Sequence, residues 1–126
     1  MNMEKEDILN AADVQLMVDE FYKKVDRDEL LSPVFRKVIQ GDWQPHLKKM
    51  YGFWETILFN ERKYSGSPFS KHIPLAIDSR HFKQWLALFH ETIDHYFEGK
   101  NAEEVKKRSQ QMGLMFEYKL KHINGE

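Results

Sequence analysis

Two histidines are the residues of this chain that could bind a metal. His72 lies in a short segment between Pro68 and Pro74, and His46 falls on the apolar face of a strongly patterned helix. Neither has a Glu-x-x-His set or a Ser/Asp triad around it, and the chain has no cysteine, so disulfides and thiolate metal sites are excluded. The remaining chemistry is a neutral imidazole that presents one ring nitrogen to a metal while an acceptor orients the other. The plainer alternatives are a polar surface contact for His72 and a carbonyl-bonded core histidine for His46.

Two further donors fall on predicted apolar helix faces. The Tyr22 hydroxyl and the Trp85 indole N–H are each, taken alone, more typical of a buried aromatic that hydrogen-bonds a backbone acceptor. Together with His46 they place three inward-facing donors among nine Phe, five Tyr and three Trp. Such a stock suits either a dense core or a cavity around a flat apolar ligand. A histidine on each side of an aromatic-walled cavity is what an iron porphyrin needs, one as ligand and one as lid.

A second group of titratable residues comprises His81, His90, Glu91, Asp94 and His95. His90 and Asp94 are four residues apart and so share a helix face. A carboxylate-bridged di-iron site would need Glu-x-x-His from two helices, and the chain lacks that motif. Because the three histidines lie largely off the apolar stripe, the pattern favours a solvated face.

The segments that must position these residues read as helices. Apolar residues recur at helical spacing from Val14 to Val25, after a capping Asn10. Ser32-Pro33 starts a second helix and Asp42 a third, with Pro45 in its first turn. A short helix from Ser67 must stop near Ile73, before Pro74. The fifth helix runs from about Ser79 to Glu98. The last helix begins at a cap formed by Asn101 with Glu104. No segment alternates like a strand, so the fold class is all-α, with six helices of which two are short.

Composition excludes several function classes. The 126 residues make one domain, 1–126, with residues 1–9 as a flexible N-terminus. The net charge of −1 lacks the basic excess expected of a nucleic-acid binder. No apolar run approaches the ~20 residues of a membrane span, and the start of the chain has no signal-like apolar stretch. We expect a cytoplasmic protein.

Several motifs, in order and spacing, resemble the group III truncated haemoglobins. They are FYKKV at 21–25, LLSPVF at 30–35, WQPH at 43–46, FW at 53–54, YSGSP at 64–68, His72, and HFKQWLALF at 81–89. The resemblance covers residues 10–120, nearly the whole chain. The glycine-pair signatures of the other truncated groups are missing, as this group would lead one to expect.

The resemblance implies a shortened globin with helices packed two over two around b-type haem. His72 then matches the proximal iron ligand, Tyr22 the tyrosine that faces bound ligand, and His46 the distal gate. Trp85 matches the tryptophan of groups II and III and Phe35 the aromatic that packs on the haem. The implied haem contacts are completed by Met50 and Phe53 as walls, and by Lys49 and Lys71, which sit where basic residues meet the propionates. With no cysteine for a CxxCH attachment, the haem is held noncovalently.

The implied function is binding of O2, NO and CO at a histidine-ligated iron by a monomer. Bound O2 carries partial superoxide character, so the distal donors stabilise it, and strong retention argues against simple delivery. NO dioxygenation, peroxide chemistry and ligand sensing stay open, and turnover would need an external reductase because the chain carries no flavin or CxxC motif. The alternative is a non-haem, all-α interaction domain whose aromatic stripes are simply core.

Addition of haem and substitution of His72 separate the haem protein from the non-haem interaction domain. The purified protein given haem should show a Soret band that shifts on CO addition. His72→Ala should lose haem or its axial nitrogen ligand, whereas His81→Ala should keep the native absorption spectrum. A colourless folded protein would support the interaction domain, and matching spectra for the two variants would rule out His72 as the ligand.

Overall fold

The described part of the chain is helical throughout. The computed structural model describes residues 5–39, 41–59 and 79–123, and none of these residues is in a strand. Its helices are α1 (Ala11–Arg27), α2 (Ser32–Val38), α3 (Gln44–Phe59), α4 (Ser79–Tyr96) and α5 (Lys100–Ile123). They confirm the all-α fold class and five of the six predicted helices. The short helix predicted between Ser67 and Ile73 lies outside the described residues.

Helix α1 is the central element. Asn10 caps it as predicted, because its side-chain oxygen accepts the N–H of Asp13 at 2.9 Å. The helix then buries the predicted apolar stripe, which consists of Val14, Met17, Val18, Phe21, Tyr22 and Val25. That stripe contacts α2, α3 and α4. Burying six large side chains on one face makes α1 the surface on which the other helices are arranged.

The four long helices pack as two pairs. Helix α1 lies against α3 and α4 lies against α5, while α1–α4 and α3–α5 contacts join one pair to the other. Two helices over two is the arrangement that the sequence resemblance implied. The core between the pairs contains Met17, Phe21, Trp54, Phe89 and Ile93, each almost fully buried.

The starts of α2 and α3 follow the sequence closely. Pro33 occupies the first turn of α2, and the Asp28 carboxylate accepts the N–H groups of Leu30 and Leu31 just before it. Helix α3 begins at Gln44 rather than Asp42. The Asp42 carboxylate accepts the Gln44 N–H at 3.1 Å, so it caps the helix from two residues outside it.

The start of α5 corrects the predicted cap. The Asn101–Glu104 capping box does not form. Instead, the Asp7 carboxylate accepts the N–H groups of Asn101 and Ala102, both at 2.8 Å, and the Asn101 side chain donates to the Ile8 carbonyl. A capping partner more than 90 residues away in the chain is invisible to a local pattern. The cap is therefore tertiary.

Gly99 makes that approach possible for two reasons. Its φ of +143° is a conformation that L side chains rarely adopt. In addition, a Cβ placed on Gly99 would lie 2.6 Å from the Asp7 side chain. Only a glycine lets the chain turn between α4 and α5 with the carboxylate pressed against it.

The N-terminal residues contact the α4–α5 turn along their length. Glu98 donates its N–H to the Glu6 carbonyl at 3.0 Å, Lys5 donates to the Asp94 carbonyl, and Ile8 is fully buried in the core. Residues 5–9 thus form an N-terminal strap over the α4–α5 turn. The flexibility predicted for residues 1–9 stays a prediction.

Across the described ranges, no helix is both long enough and apolar enough to cross a membrane.

Neighbouring residues of the N-terminal strap should differ sharply in their effect on stability. Ile8 is fully buried whereas Leu9 is 61% exposed. Ile8→Ala should lower the free energy of unfolding by about 2–5 kcal/mol because it leaves a cavity, and Leu9→Ala by less than about 0.5 kcal/mol. Urea titration of the two variants measures this. Equal losses would show that the strap does not anchor through Ile8.

Candidate functional site around Tyr22

Tyr22 lies at the centre of an aromatic cluster between α1, α2 and α3. Its side chain is 7% exposed, which confirms that it faces inward. The rings of Phe21, Phe35 and Trp43 meet it edge to face, with centroids 5.0, 6.0 and 6.1 Å away. These geometries are the preferred ones for aromatic pairs, so the Tyr22 ring is held from several sides and its hydroxyl position is fixed.

The Tyr22 hydroxyl contacts His46. Oη of Tyr22 lies 3.0 Å from Nε2 of His46, and the two rings are nearly perpendicular at a centroid distance of 5.2 Å. The bond joins α1 to α3. The residue predicted to face ligand and the residue predicted to gate access are therefore direct partners.

The single phenolic proton limits what this pair can do. If His46 Nε2 carries a hydrogen, it donates to Tyr22 Oη and the phenolic O–H is available to another acceptor. If Nε2 is bare, Tyr22 donates to it and has no second hydrogen to offer. His46 thus orients the Tyr22 hydroxyl. The protonation of His46 Nε2 decides whether that hydroxyl can donate to a third group.

Tyr22 stays neutral over a wide pH range. Burial raises the pKa of its hydroxyl well above the ordinary value of 10.0, because the phenolate would lose its hydration. A neutral phenol with an O–H is the form that can donate to a partly negative acceptor. The burial that holds the ring also preserves its donor.

Trp85 is the second predicted donor and is also buried, at 8% exposure. Its ring stacks on Phe89 at 5.6 Å and meets Phe21 edge to face at 5.9 Å. Phe21 contacts Tyr22 as well. The two predicted donors, on α1 and α4, therefore contact the same ring within a single packed cluster.

The other predicted contacts are distributed as follows. Met50 is buried in the same core cluster as Tyr22 and Trp85, and Phe35 and Phe53 are half-buried against it. Lys49 is exposed on α3. His72 and Lys71 lie outside the described residues, so their assignments stay predictions. The described set combines two neutral donors, one histidine, apolar walls and one exposed cation.

The histidine group on α4 differs from the solvated face predicted for it. His90 is half-buried, with Nε2 lying 3.2 Å from the Lys106 carbonyl and 3.3 Å from Ser109 Oγ. The imidazole thus links α4 to α5. His81 is also half-buried, whereas His95 is exposed. His95→Ala is therefore the better control for a substitution at His72.

The two acidic residues of the α4 histidine group are paired with lysines. Glu91 meets Lys24 at 3.3 Å and Asp94 meets Lys106 at 2.7 Å. Within the described ranges, no cluster of three or more His, Asp or Glu side chains is placed to hold a metal ion.

Two polar features escaped the sequence analysis. Glu55 is buried on α3 at 6% exposure, next to Trp54 on the predicted apolar face. Tyr51 donates to the Asp19 carboxylate of α1, and burial together with that carboxylate raises the Tyr51 pKa to about 12. The Tyr51–Asp19 pair gave no local signal, because its partners are 32 residues apart. It is a second polar bond between α1 and α3.

Comparison with known proteins agrees with this geometry. A family model described as bacterial-like globin matches residues 6–117. The chain is 28% identical over 125 residues to a protein named group 3 truncated hemoglobin ctb from Campylobacter jejuni, covering 96% of this chain and 98% of that protein.

Solved structures give the same result. A crystal structure of group III truncated hemoglobin from Campylobacter jejuni matches with a TM-score of 0.82 at 28% identity, covering 92% of this chain and 94% of that one. A truncated oxygen-avid haemoglobin from Bacillus subtilis matches with a TM-score of 0.72 at 23% identity over 85% and 92%, which shows the fold. The predicted resemblance is confirmed.

The raised pKa of Tyr22 predicts how stability changes in alkali. Above pH 10.0 the unfolded chain releases the phenolic proton while the folded chain keeps it, so the free energy of unfolding falls as pH rises. The slope from this group reaches about 1.4 kcal/mol per pH unit. Tyr22→Phe has no phenolic proton at this position. Its free energy of unfolding, measured by urea titration, should therefore fall less between pH 9 and 11 than that of the native protein. Equal falls in the free energy of unfolding for the two proteins would contradict a Tyr22 pKa raised by burial.

Proposed function

This chain belongs to the bacterial-like globin family, which supports haem-based binding of diatomic ligands, and on that premise we propose that it holds b-type haem through His72 and binds O2, with NO and CO as related ligands. The absence of cysteine supports noncovalent attachment, because it leaves no thiol to bond the haem. The single observation that carries the proposal is the Tyr22–His46 bond, a polar pair within aromatic walls at the positions that the resemblance assigns to the ligand side.

The described residues fit such a group. A haem is flat and apolar with an anionic edge. Met50 offers a buried apolar surface, Phe35 and Phe53 offer half-buried rings, and Lys49 offers an exposed cation. We propose Phe35, Met50 and Phe53 as packing contacts, and Lys49 with Lys71 as partners of the propionates. His46 and Trp85 complete the proposed contacts.

When bound, the haem supplies a ferrous iron that shifts negative charge onto an O2 ligand and much less onto CO. We propose that Tyr22 and Trp85, whose rings both contact Phe21, donate hydrogen bonds toward that charge. A hydrogen bond to a charged group contributes about 1.5–3 kcal/mol, which corresponds to roughly ten- to hundredfold slower release. The donors thereby select O2 over CO by electrostatics.

His46 has two proposed tasks. It holds the Tyr22 hydroxyl through Nε2, and by rotating away it opens the cavity to solvent as a gate. Because Nε2 is engaged by Tyr22 at 3.0 Å, it would not be available to an iron, and we propose His72 as the single histidine that would hold the haem. Rotation of His46 breaks the bond and leaves a buried hydroxyl without it, which makes the closed arrangement the resting one.

Strong retention favours reaction or sensing over delivery. We propose NO dioxygenation or a peroxidase-like activity as the enzymatic roles, each with an external reductase. Family membership favours the haem protein over the non-haem interaction domain. The monomeric state and the cytoplasmic location stay predictions.

The electrostatic role of the donors is tested by comparing ligands. Tyr22→Phe removes the hydroxyl and keeps the ring, so it should accelerate O2 release by roughly tenfold or more, since about 1.4 kcal/mol corresponds to tenfold. CO release should change much less. Stopped-flow and flash-photolysis measurements give both rates. Trp85→Phe and the double variant apportion the effect between networked donors.

Equal acceleration of O2 and CO release in all three variants would mean that the side chains act by steric obstruction. The electrostatic proposal would then be wrong.

A further inference from the structure

Two polar bonds join α1 to α3 at different points along the helices. Tyr51 of α3 donates its hydroxyl to the Asp19 carboxylate of α1. Nε2 of His46, also on α3, lies 3.0 Å from Tyr22 Oη of α1. Asp19 and Tyr22 are three residues apart, which places them on one face of α1 and about 4.5 Å apart along its axis. His46 and Tyr51 are five residues apart, or about 7.5 Å along the axis of α3.

Two attachment points constrain a pair of helices more than one does. Helices joined by a single bond can pivot about it, and pivoting moves side chains elsewhere on one helix toward or away from the other. A second bond at another point along the axes opposes that rotation. Helix α3 is continuous from Gln44 to Phe59. Holding Tyr51 against α1 therefore also limits the distances at which His46 can meet Tyr22.

Side-chain packing leaves this part of the α1–α3 contact open. A cleft of about 340 Å³ lies between the two helices, and its lining includes Asp19 and Tyr22 of α1 with Gln44 and Leu47 of α3. Interlocking side chains set the separation of most helix pairs, and an opening of this size supplies no such contact across its width. Asp19 lines the opening and bonds Tyr51. The helix separation beside the cleft is thus held by a polar bond.

The Tyr51 hydroxyl is suited to hold that separation. Burial and the Asp19 carboxylate raise the pKa of Tyr51 to about 12, so at neutral pH the hydroxyl keeps the proton that it donates. A hydrogen bond with a carboxylate acceptor is roughly twice as strong as one between neutral groups. The Asp19–Tyr51 bond is therefore a firm point from which the rest of α3 is placed.

We propose that Asp19 and Tyr51 are positioning residues that hold α3 at the separation from α1 at which His46 meets the Tyr22 hydroxyl. They act through His46 and need not touch haem or ligand. The inference deepens the proposed function and rests on it, since His46 is there the gate. Loss of the Asp19–Tyr51 bond should separate His46 from Tyr22 more often, so that the gate opens more often.

A second phenol–carboxylate bond supplies a matched control. Tyr96 of α4 donates to the Glu20 carboxylate of α1 at 2.8 Å, and Tyr96 is half-buried, as Tyr51 is. Because Glu20 follows Asp19 in the chain, Tyr51→Phe and Tyr96→Phe each remove one hydroxyl bonded to α1 at adjacent residues. The Tyr51 bond joins α1 to α3, whereas the Tyr96 bond joins α1 to α4. A general loosening of α1 would affect both variants alike.

The His46 ring reports its bond to Tyr22 directly. NMR of the haem-loaded, CO-bound ferrous protein gives the ¹⁵N chemical shift of His46 Nε2, and Tyr22→Phe supplies the reference value with the bond absent. Tyr51→Phe should move this chemical shift from the native value toward the Tyr22→Phe value. Tyr96→Phe should leave it at the native value. A native chemical shift in Tyr51→Phe, or an equal displacement in Tyr96→Phe, would overturn the proposal.

Substitutions of Asp19 test the same bond from α1. Asp19→Asn keeps a side-chain oxygen that can accept the Tyr51 hydroxyl, so the His46 chemical shift should stay near the native value. Asp19→Ala removes the acceptor and should reproduce Tyr51→Phe. A native chemical shift in Asp19→Ala, or an equal displacement in Asp19→Asn, would show that the acceptor does not position α3. The Asp19 pair carries the test even if Tyr51→Phe does not fold.

Ligand kinetics test the consequence for the gate. Tyr51→Phe should accelerate CO association by roughly threefold, which corresponds to losing about half of a typical net hydrogen bond between Tyr22 and His46. Tyr96→Phe should leave the rate unchanged, and flash photolysis of the CO-bound protein measures both. An unchanged rate in Tyr51→Phe would overturn the link between the positioning pair and the gate. A chain that takes up no haem would instead overturn the proposed function, so the two failures are distinguishable.

Discussion

The bond between Tyr22 Oη and His46 Nε2 is the interaction on which the site depends. It places two polar groups opposite each other between α1 and α3, which Tyr51 and Asp19 also join. A buried hydroxyl that loses its partner costs about 1–3 kcal/mol. Breaking this bond therefore has an energetic consequence at Tyr22. In the proposed function, an arriving ligand offers Tyr22 a replacement acceptor, so ligand binding and the position of His46 are thermodynamically linked.

The aromatic cluster behind Tyr22 makes that linkage local. Phe21 contacts both Tyr22 and Trp85, and Phe89 stacks on both Trp85 and Trp54. Close-packed rings have few alternative rotamers. The Tyr22 and Trp85 rings are thereby fixed by the core, whereas the His46 ring is only half-buried.

Most of the fold and the inward-facing donors were predictable because their signals are local. Apolar spacing defined α1, Asn10 its start, and Ser32-Pro33 the start of α2. Tyr22 and Trp85 were placed inward by their positions on a stripe, and both are buried. The resemblance supplied their roles, which spacing alone could not.

What the sequence did not reveal depends on pairs that are distant in the chain. The cap of α5 comes from Asp7, and His90 bonds across to α5 although its spacing is that of a surface residue. Glu55 is buried although it is a charged residue type. In each case tertiary contacts override the local preference. The contact between Tyr22 and His46 itself is of this kind, since each was predicted to face inward but not toward the other.

The cap at Asp7 also bears on how the protein is made. Asp7 is synthesised well before the N–H groups that it accepts. These belong to Asn101 and Ala102, which lie 94 and 95 positions further along the chain. At about 5–20 residues per second, synthesis of that interval takes roughly 5–20 s. During this time Ile8, which is fully buried in the finished fold, has no α4–α5 turn to pack against. The strap therefore stays unpacked until the α4–α5 turn has been synthesised, and this part of the fold closes only then.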